Sequence, residues 1–354
     1  MANWVQIQTA ASDTAPSARS SHQLSALGSC LYLFGGEYGP ECAHFGYGLP
    51  VTPMVHTLDL GSLSSPPEWQ VVPIYAGSPP STRLGHGQCI VEVNGRGYLY
   101  IFGGRQPAHE DAVYDGNEEV ASLNDMHRLD ISAGIWEELK CNGDIPSERS
   151  YVGMTLHRGV VYLFGGMINN DRYNDLHSFD PSNNQWERLP NGPMEGRGGA
   201  GFCADPRGSN SLFVVAGFCG RPVGDVWEYI IERKEWLEHP ELALSVPRSI
   251  FACCTVVANA HIMIFGGELA AANGNDEAGV YTNETLALGR AAEILTSSRS
   301  CPPFARGWTS GCTVELKQKN KTAFVVFGGI KQGDASLGKE PVGVRLSDLM
   351  MLEL

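Results

Sequence analysis

The stretch Leu31-Tyr-Leu-Phe-Gly-Gly36 decides the fold of this chain, because an apolar run closed by two glycines recurs along its length. Apolar and aromatic residues favour a strand, and glycine allows a sharp turn where backbones crowd. The second glycines lie 68, 62, 51, 50 and 62 residues apart, so six units of about fifty residues or more fill the chain. The copies are Leu31–Gly36, Leu99–Gly104, Val161–Gly166, Met263–Gly267, Phe324–Gly329 and a variant with alanine as the first small residue, Phe213–Gly217.

A repeat of this length, closed by a double glycine, is typical of a kelch-type β-propeller blade. The last unit stops at Leu354 without the strand that opens on tryptophan in other units, whereas the chain begins with Asn3-Trp4-Val-Gln-Ile7. We therefore predict an all-β fold: a six-bladed kelch β-propeller that spans residues 1–354 as a single domain. The N-terminal strand would complete the last blade and close the ring, which removes open sheet edges.

Each unit opens with an arginine followed by small or aromatic residues, and we expect this segment to begin the innermost strand. The recurrence favours a structural role for these arginines, in a salt bridge or a backbone contact between blades. His22 and His86 follow their arginines at the same offset, and we interpret them as structural too. The six opening arginines are Arg19, Arg83, Arg149, Arg197, Arg248 and Arg306.

Composition and charge exclude several classes of function. The net charge of −14 argues against a nucleic-acid partner, because phosphate binding needs clustered Lys and Arg. The ten cysteines show no CxxC spacing, and residues 1–20 lack the apolar core of a signal peptide. The most apolar stretch, Ser249–Phe265, is interrupted by Asn259 and His261 and predicts two strands around a turn rather than a membrane span. We expect a cytoplasmic monomer with reduced cysteines and no membrane contact.

Three units carry long insertions after the double glycine, and we predict loops on one face of the propeller there. Long loops on a rigid β framework are common positions for binding residues. An unknown protein partner or a small anionic ligand is therefore expected at this long-loop face. The predicted loops are Glu37–Met54, Gln106–Leu123 and Leu269–Thr282.

One residue follows each double glycine, and in a six-bladed ring these residues would surround one mouth of the central channel. Arg105 would then face Glu268 across this mouth. Arginines beside aromatic rings suit a planar or anionic ligand, although a channel mouth with an ordinary polar lining would show similar residues. The candidate ligand-binding residues are Arg105, Arg172, Tyr151, Arg306, Trp308 and Glu37.

The sequence resembles the plant nitrile-specifier, epithiospecifier and thiocyanate-forming proteins over nearly its whole length. The resemblance is strongest at Arg197-Gly-Gly-Ala-Gly-Phe202, Arg248-Ser-Ile-Phe-Ala252 with Ile264-Phe-Gly-Gly-Glu268, and Arg306-Gly-Trp-Thr309. It implies a kelch propeller that uses ferrous iron to assist breakdown of a glucosinolate aglycone. It also implies that arginines at the positions of Arg105 and Arg172 hold the sulfate of the aglycone, with Trp308 beside the site.

The iron-binding loop implied by the resemblance, Glu-x-x-x-Asp-x-x-x-His, is only partly matched. Glu268 is present, but Ala272 stands where aspartate is expected and Asn275-Asp276 lies near the histidine position. The loop is also one residue shorter. Glu268 and Asp276, with Glu277, remain as weak candidate metal ligands, and carboxylates alone would hold iron(II) loosely.

No nucleophile elbow, zinc-protease or nucleotide-binding motif occurs in the sequence. We therefore predict a kelch-repeat binding module with a small anionic-ligand pocket at the mouth, and we expect no cofactor and no catalysis. The alternative is an iron(II)-dependent lyase of the nitrile-specifier type. The two hypotheses differ in whether the loop between Glu268 and Asp276 binds a transition metal.

Overall fold

The computed structural model describes residues 3–38, 53–107, 120–270, 280–289, 291–295, 303–316, 321–332 and 343–354. Within these ranges the regular secondary structure consists of β-strands and a single 3-10 turn, Pro240–Leu242. The predicted all-β fold class is confirmed. No helix in the described ranges is long and apolar enough to cross a membrane.

Six larger sheets follow one another along the chain. We number them sheet 1 to sheet 6, and each strand pairs with the next strand given. Sheet 1 contains Gln23–Leu27, Cys30–Phe34, His56–Asp59 and Gln70–Val71; sheet 2 contains Gly87–Val93, Arg96–Pro107, Val120–Asp130 and Ile135–Glu138; sheet 3 contains Gly153–His157, Val160–Phe164, Leu176–Asp180, Gln185–Leu189 and Asn142–Gly143. Sheet 4 contains Gly201–Ala204, Ser211–Phe218, Pro222–Ile230 and Glu235–Glu238; sheet 5 contains Ala252–Val256, His261–Phe265, Thr285–Leu288 and Ala292–Leu295; sheet 6 contains Ser310–Leu316, Lys321–Phe327, Leu349–Glu353 and Trp4–Ile7.

Short strands continue some of the units beyond the double glycine. Strand pairing changes two predicted loop boundaries: Gln106 in the long strand Arg96–Pro107 pairs with Ala121, and Leu269 in a short strand pairs with Val280, so both loops are strands at their ends rather than irregular throughout. Within the three predicted loops, residues 39–52, 108–119 and 271–279 lie outside the described residues. The short strands are Met167–Ile168 with Asp171–Arg172, Ile330–Lys331 with Val344–Arg345, and Glu268–Leu269 between Arg248–Ser249 and Val280–Tyr281.

The opening arginines precede the first strands of the sheets rather than lying within them, with one exception, Arg248, in a short strand of its own. Their guanidinium groups are buried, and five of them bind a carboxylate on the third strand or just before it in the same unit. Burial alone raises the pKa of Asp125, but hydrogen bonds from His127 and Arg83 outweigh it and hold that pKa well below the usual range. The pairs are Arg83–Asp125, Arg149–Asp175, Arg197–Asp225, Arg248–Glu284 and Arg306–Asp348.

The same arginines also connect neighbouring units through their backbone. Gly36 donates its N–H to the carbonyl of Arg83, which opens the following unit, at 2.9 Å. A Cβ added at Gly35 would lie 2.6 Å from that carbonyl oxygen, and its φ of +68° is itself strained for other residues. Gly329 donates in the same way to Arg19 at 2.9 Å, so the last unit contacts the first. The predicted structural role of the arginines therefore includes both an ion pair and a contact between units.

The N-terminal strand lies in the same sheet as the C-terminal strand, as Trp4 led us to expect. Trp4 pairs with Leu352, and Ile7 pairs with Leu349. Trp4 is buried, its indole N–H donates to Thr285 at 3.0 Å, and its ring centroid lies 4.9 Å from that of Phe265 in sheet 5. The Trp4 side chain of sheet 6 therefore packs against sheet 5.

Replacement of Trp4 by alanine should destabilise the protein by about 3–5 kcal/mol, because it empties a buried aromatic site and leaves Thr285 without its donor. Val5→Ala is the matched control, since Val5 is 48% exposed and should cost less than about 0.5 kcal/mol. Urea denaturation of both variants would measure the difference. Equal stability of the two variants would contradict a structural role for the first strand.

Two buried histidines should make the stability of the protein dependent on pH. His22 packs against Phe327 and His86 against Phe34, and burial, with the charge of a nearby arginine, lowers the pKa of each from 6.5 to about 3. The unfolded chain therefore binds a proton at each histidine more readily than the folded protein does. The contribution of the two neutral histidines to the free energy of unfolding is complete above pH 6.5 and is lost as pH falls toward 3.

We expect each of these histidines to lower the free energy of unfolding by about 2 kcal/mol when the pH falls from 7.5 to 5.0. Carboxylates mostly titrate below this range. Denaturation of a His22→Asn, His86→Asn double variant should show roughly half of the wild-type pH slope, because His56 and His177, with pKa values lowered to about 4, remain. An unchanged slope would show that neither histidine is responsible.

Candidate functional site

Six residues near the starts of the first strands hold the candidate site in place through a circle of backbone hydrogen bonds. Each N–H donates to the carbonyl of the preceding member over 2.5–3.0 Å, and Ser21 donates to Trp308. All six have positive φ, which costs a non-glycine residue about 1–2 kcal/mol. The surrounding bonds therefore hold the aromatic members in one orientation. The six residues are Ser21, Gly85, Tyr151, Gly199, Ile250 and Trp308.

The residues after the double glycines occupy equivalent positions, as their spacing predicted. Each forms a backbone bridge to the residue that precedes a member of this circle. We use "the mouth" for these six residues together with the six residues of the circle. The bridges are Ser20 to Glu37, Leu84 to Arg105, Ser150 to Met167, Gly198 to Phe218, Ser249 to Glu268 and Gly307 to Ile330.

Four of the predicted residues form one connected chain of contacts. Arg105 donates to the phenol oxygen of Tyr151 at 3.2 Å, and its guanidinium carbon lies 5.1 Å from the centre of that ring. The rings of Tyr151 and Trp308 meet edge to face, with centroids 5.4 Å apart. The indole N–H of Trp308 donates to Glu268 at 3.2 Å. Arg105 and Glu268 are thus linked through two aromatic rings, with a cation at one end and an anion at the other.

Arg172 lies on the return strand opposite Met167, which itself bridges to Ser150 beside Tyr151. Its guanidinium carbon is 4.8 Å from the ring centre of Phe218, and one Nη donates to the carbonyl of Asn170 at 3.0 Å. The Nε–H of Arg172 is buried and has no hydrogen-bond partner among the described residues. This donor is therefore unsatisfied among the described residues but shielded from solvent, so a ligand would be met by the Nη groups of Arg172.

Glu37 belongs to a second polar group, which contains a residue that sequence reasoning missed. Ser20 and Ser21 donate to Glu37 at 3.1 and 3.2 Å, and Arg345 approaches it at 3.5 Å. Arg345 pairs with Ile330 and holds the same position on its hairpin as Arg172 does opposite Met167. No motif surrounds Arg345 in the sequence, so only its pairing with Ile330 identifies it.

Arg306 differs from the other candidate residues in its position. It is fully buried, and its guanidinium binds both carboxylate oxygens of Asp348 at 2.6 and 2.7 Å and the carbonyl of Gly328 at 2.9 Å. These contacts are the structural ones made by the other opening arginines. The Nη groups of Arg306 are thus bound to Asp348 and Gly328 rather than offered to a ligand.

The structure describes only part of the candidate metal site. Glu268 accepts from Trp308 and pairs through its backbone with Tyr281, while Asp276 lies outside the described residues. Burial raises the pKa of the Tyr281 phenol, and the charge of Glu268 adds to the effect. Among the residues that the structure describes, no three His, Cys, Asp or Glu side chains cluster as metal ligands.

A cavity of about 160 Å³ is lined in part by Tyr151 and Trp308, whose rings are in contact. Its walls come from all six units and include both polar residues, such as Gln23 and Gln88, and apolar ones, such as Phe202. A space of this size holds a few water molecules or a small ligand group. The mouth and this cavity together form the candidate site.

Comparison with known proteins identifies relatives of two kinds. The KLHDC2/KLHL20/DRC7 Kelch-repeats domain matches residues 22–267. Kelch domain-containing protein 10 of Rattus norvegicus is 28% identical over 207 residues, which cover 55% of this chain and 45% of that protein. The chain therefore spans less than half the length of this relative.

The second kind of relative matches nearly the whole chain. N-(sulfonatooxy)prop-2-enimidothioate sulfolyase of Thlaspi arvense is 25% identical over 354 residues, which cover 92% of each chain. This match agrees with the resemblance to nitrile-specifier proteins found in the sequence. The solved structure of YjhT superposes with a TM-score of 0.67 over 96% of each chain at 15% identity, a likeness of fold alone.

Proposed function

The chain belongs to the kelch-repeat family, whose domain matches residues 22–267, and from this premise we propose that it is a binding module that recognises an anionic group at the mouth. The observation that carries this proposal is the linked group of Arg105, Tyr151, Trp308 and Glu268. It brings a cation and two aromatic rings from different units to one place. Such a combination suits an oxyanion attached to a flat or apolar group.

The architecture that we propose is a single domain of six blades, with the first strand closing the ring. Three observations support it: the hydrogen bonds of the six-residue circle run from Ser21 through Trp308 and back, Trp4 pairs with Leu352, and Leu33 and Val325 share one apolar cluster. A ring of this kind fixes the mouth residues on a rigid frame. Rigid placement lowers the entropy cost of binding.

The donors for the anion would come from both sides of the segment Ser150–Tyr151. Arg105 contacts Tyr151, and Arg172 lies one bridge away from Ser150 through Met167. The acidic residues of the mouth are already engaged, Glu37 with serines and Arg345, and Glu268 with Trp308. Their charges are partly compensated, so they would repel an anion less than free carboxylates.

We also propose a reducing, cytoplasmic location for the chain. None of the eight described cysteines is joined in a disulfide, which agrees with the scattered spacing in the sequence. Cys42 and Cys301 lie outside the described residues.

A second candidate function is that of an iron(II)-dependent lyase. It is favoured by the match to a sulfolyase over 92% of both chains, since the name of that relative describes a sulfonatooxy substrate. The anion pocket would then hold a sulfate group. The partial iron loop disfavours this candidate, because Glu268 and Asp276 without an imidazole compete poorly with water for iron(II).

Titration with 4-nitrophenyl sulfate and with inorganic sulfate should detect binding at the mouth by calorimetry. We expect Arg105→Ala and Arg172→Ala each to weaken binding about 10- to 100-fold, because each removes a charge-assisted hydrogen bond worth about 1.5–3 kcal/mol. Arg221→Ala is the matched control: Arg221 is exposed and pairs only with the exposed Glu195 among the described residues. If all three variants bind as the wild type does, the anion pocket is not at the mouth.

Anaerobic titration of the protein with iron(II) separates the two candidate functions. For a binding module we expect no saturable binding at micromolar iron, and no difference between the wild type and Glu268→Ala. Glu268→Gln serves as the control that keeps the hydrogen bond from Trp308. Micromolar binding that disappears in Glu268→Ala would favour the lyase instead.

A further inference from the structure

Among the residues that the structure describes, Arg19, which opens sheet 1, has no carboxylate partner, whereas the five other opening arginines each have one. The register of the strands shows which residue of sheet 1 corresponds to the acid of the other units. His56 pairs with Leu33 in sheet 1, as His127 pairs with Ile101 in sheet 2. The residue two places earlier is Asp125 in sheet 2 but Met54 in sheet 1. A methionine therefore stands where the other units have an acid.

The hydrogen bonds of Arg19 are otherwise those of its counterparts. It donates from Nε to the carbonyl of Ser17, from Nη2 to the hydroxyl of Ser17 and from Nη1 to the carbonyl of Gly35, at 3.1–3.2 Å. Arg83 makes the same three bonds to Ser81 and Gly103. Its two further bonds, from Nη1 and Nη2 to the two oxygens of Asp125 at 2.6 and 2.8 Å, have no equivalent in Arg19 among the described residues.

A cavity of about 330 Å³ lies beside these two unused donors. Its lining includes Arg19, Met54, His56, Tyr38 and Asp13. Arg19 is 5% exposed, whereas Met54 is 42% exposed and leaves the space open. Burial lowers the pKa of Arg19 to about 10, so the guanidinium is charged at neutral pH. A buried charge without a counter-ion is unfavourable, and an anion that entered the cavity would relieve it.

We propose that the cavity at Arg19 binds a carboxylate group supplied from outside the chain. One N–H on each Nη faces the position that a planar carboxylate fills in four other units, and the fork of a guanidinium matches the two oxygens of such a group. The carboxylate could be a free small acid or an Asp or Glu side chain of a partner protein. The cavity shares no lining residue with the mouth, so its binding of a carboxylate can be tested independently of the proposed function.

The first experiment supplies the missing carboxylate within the chain. Thermal unfolding of Met54→Asp should show a Tm about 1–3 °C higher than the wild type, whereas Met54→Asn, the uncharged control, should not. At constant ionic strength, sodium acetate in place of chloride should raise the Tm of the wild type and leave that of Met54→Asp unchanged. An unaltered or lower Tm for Met54→Asp, or equal effects of acetate and chloride on the wild type, would overturn the proposal.

Two further variants exclude a carboxylate from the chain itself. Asp13 is on the rim of the cavity, and Glu41 belongs to a segment outside the described residues. The acetate response should persist in Asp13→Asn and in Glu41→Gln. A response that is absent in the wild type and arises only in one of these variants would mean that the chain provides its own partner for Arg19, contrary to the proposal.

The source of the carboxylate can be distinguished with two probes. N-acetyl-glutamate N-methylamide represents a side chain in a polypeptide, and its glutamine counterpart is the control. A larger Tm rise with the glutamate compound than with acetate would support a protein side chain, and the reverse order would support a free small acid. No response to either compound would overturn the proposal.

Discussion

The hydrogen bonds and ion pairs of the buried arginine at the start of each unit hold the sheets together and connect neighbouring sheets. Its side chain binds the carbonyl of the first small residue that ends the second strand and, in five units, an acid on or just before the third strand. In most units its backbone carbonyl accepts the N–H of the second glycine of the preceding unit. One residue therefore joins three segments of one sheet and connects that sheet to its neighbour. This explains why arginine and the double glycine recur together in the sequence.

The arginine also determines where functional residues can appear. The second residue after it is held with positive φ in the circle of backbone hydrogen bonds in all six units, and at Gly85 and Gly199 glycine adopts this conformation without strain. The frame therefore tolerates different side chains at one structural position. Tyr151 and Trp308 occupy that position in units three and six, and their rings meet. The chemistry of the mouth can change between relatives while the frame stays the same.

The two kinds of relative are consistent with this separation between frame and site. The sulfolyase relative matches 92% of the chain at 25% identity. The loop after Glu268, by contrast, has lost two of the residues that the resemblance implies for iron.

The repeated strands and the pairing of the first strand with the last could be predicted from the sequence, because each depends on local patterns: apolar runs, glycines at their ends, and a tryptophan strand missing from one end and present at the other. The sequence also identified Arg105, Tyr151 and Trp308 as residues of one region. The tertiary structure decided which of them touch, because Tyr151 and Trp308 lie 157 residues apart and meet only through the arrangement of the six sheets. It also separated Arg306 from the site, since a buried ion pair with Asp348 cannot be recognised from the arginine alone. The position of Arg345 opposite Ile330, and that of Met54 where other units have an acid, became visible only in strand register, which depends on hydrogen bonds between segments that are distant in the sequence.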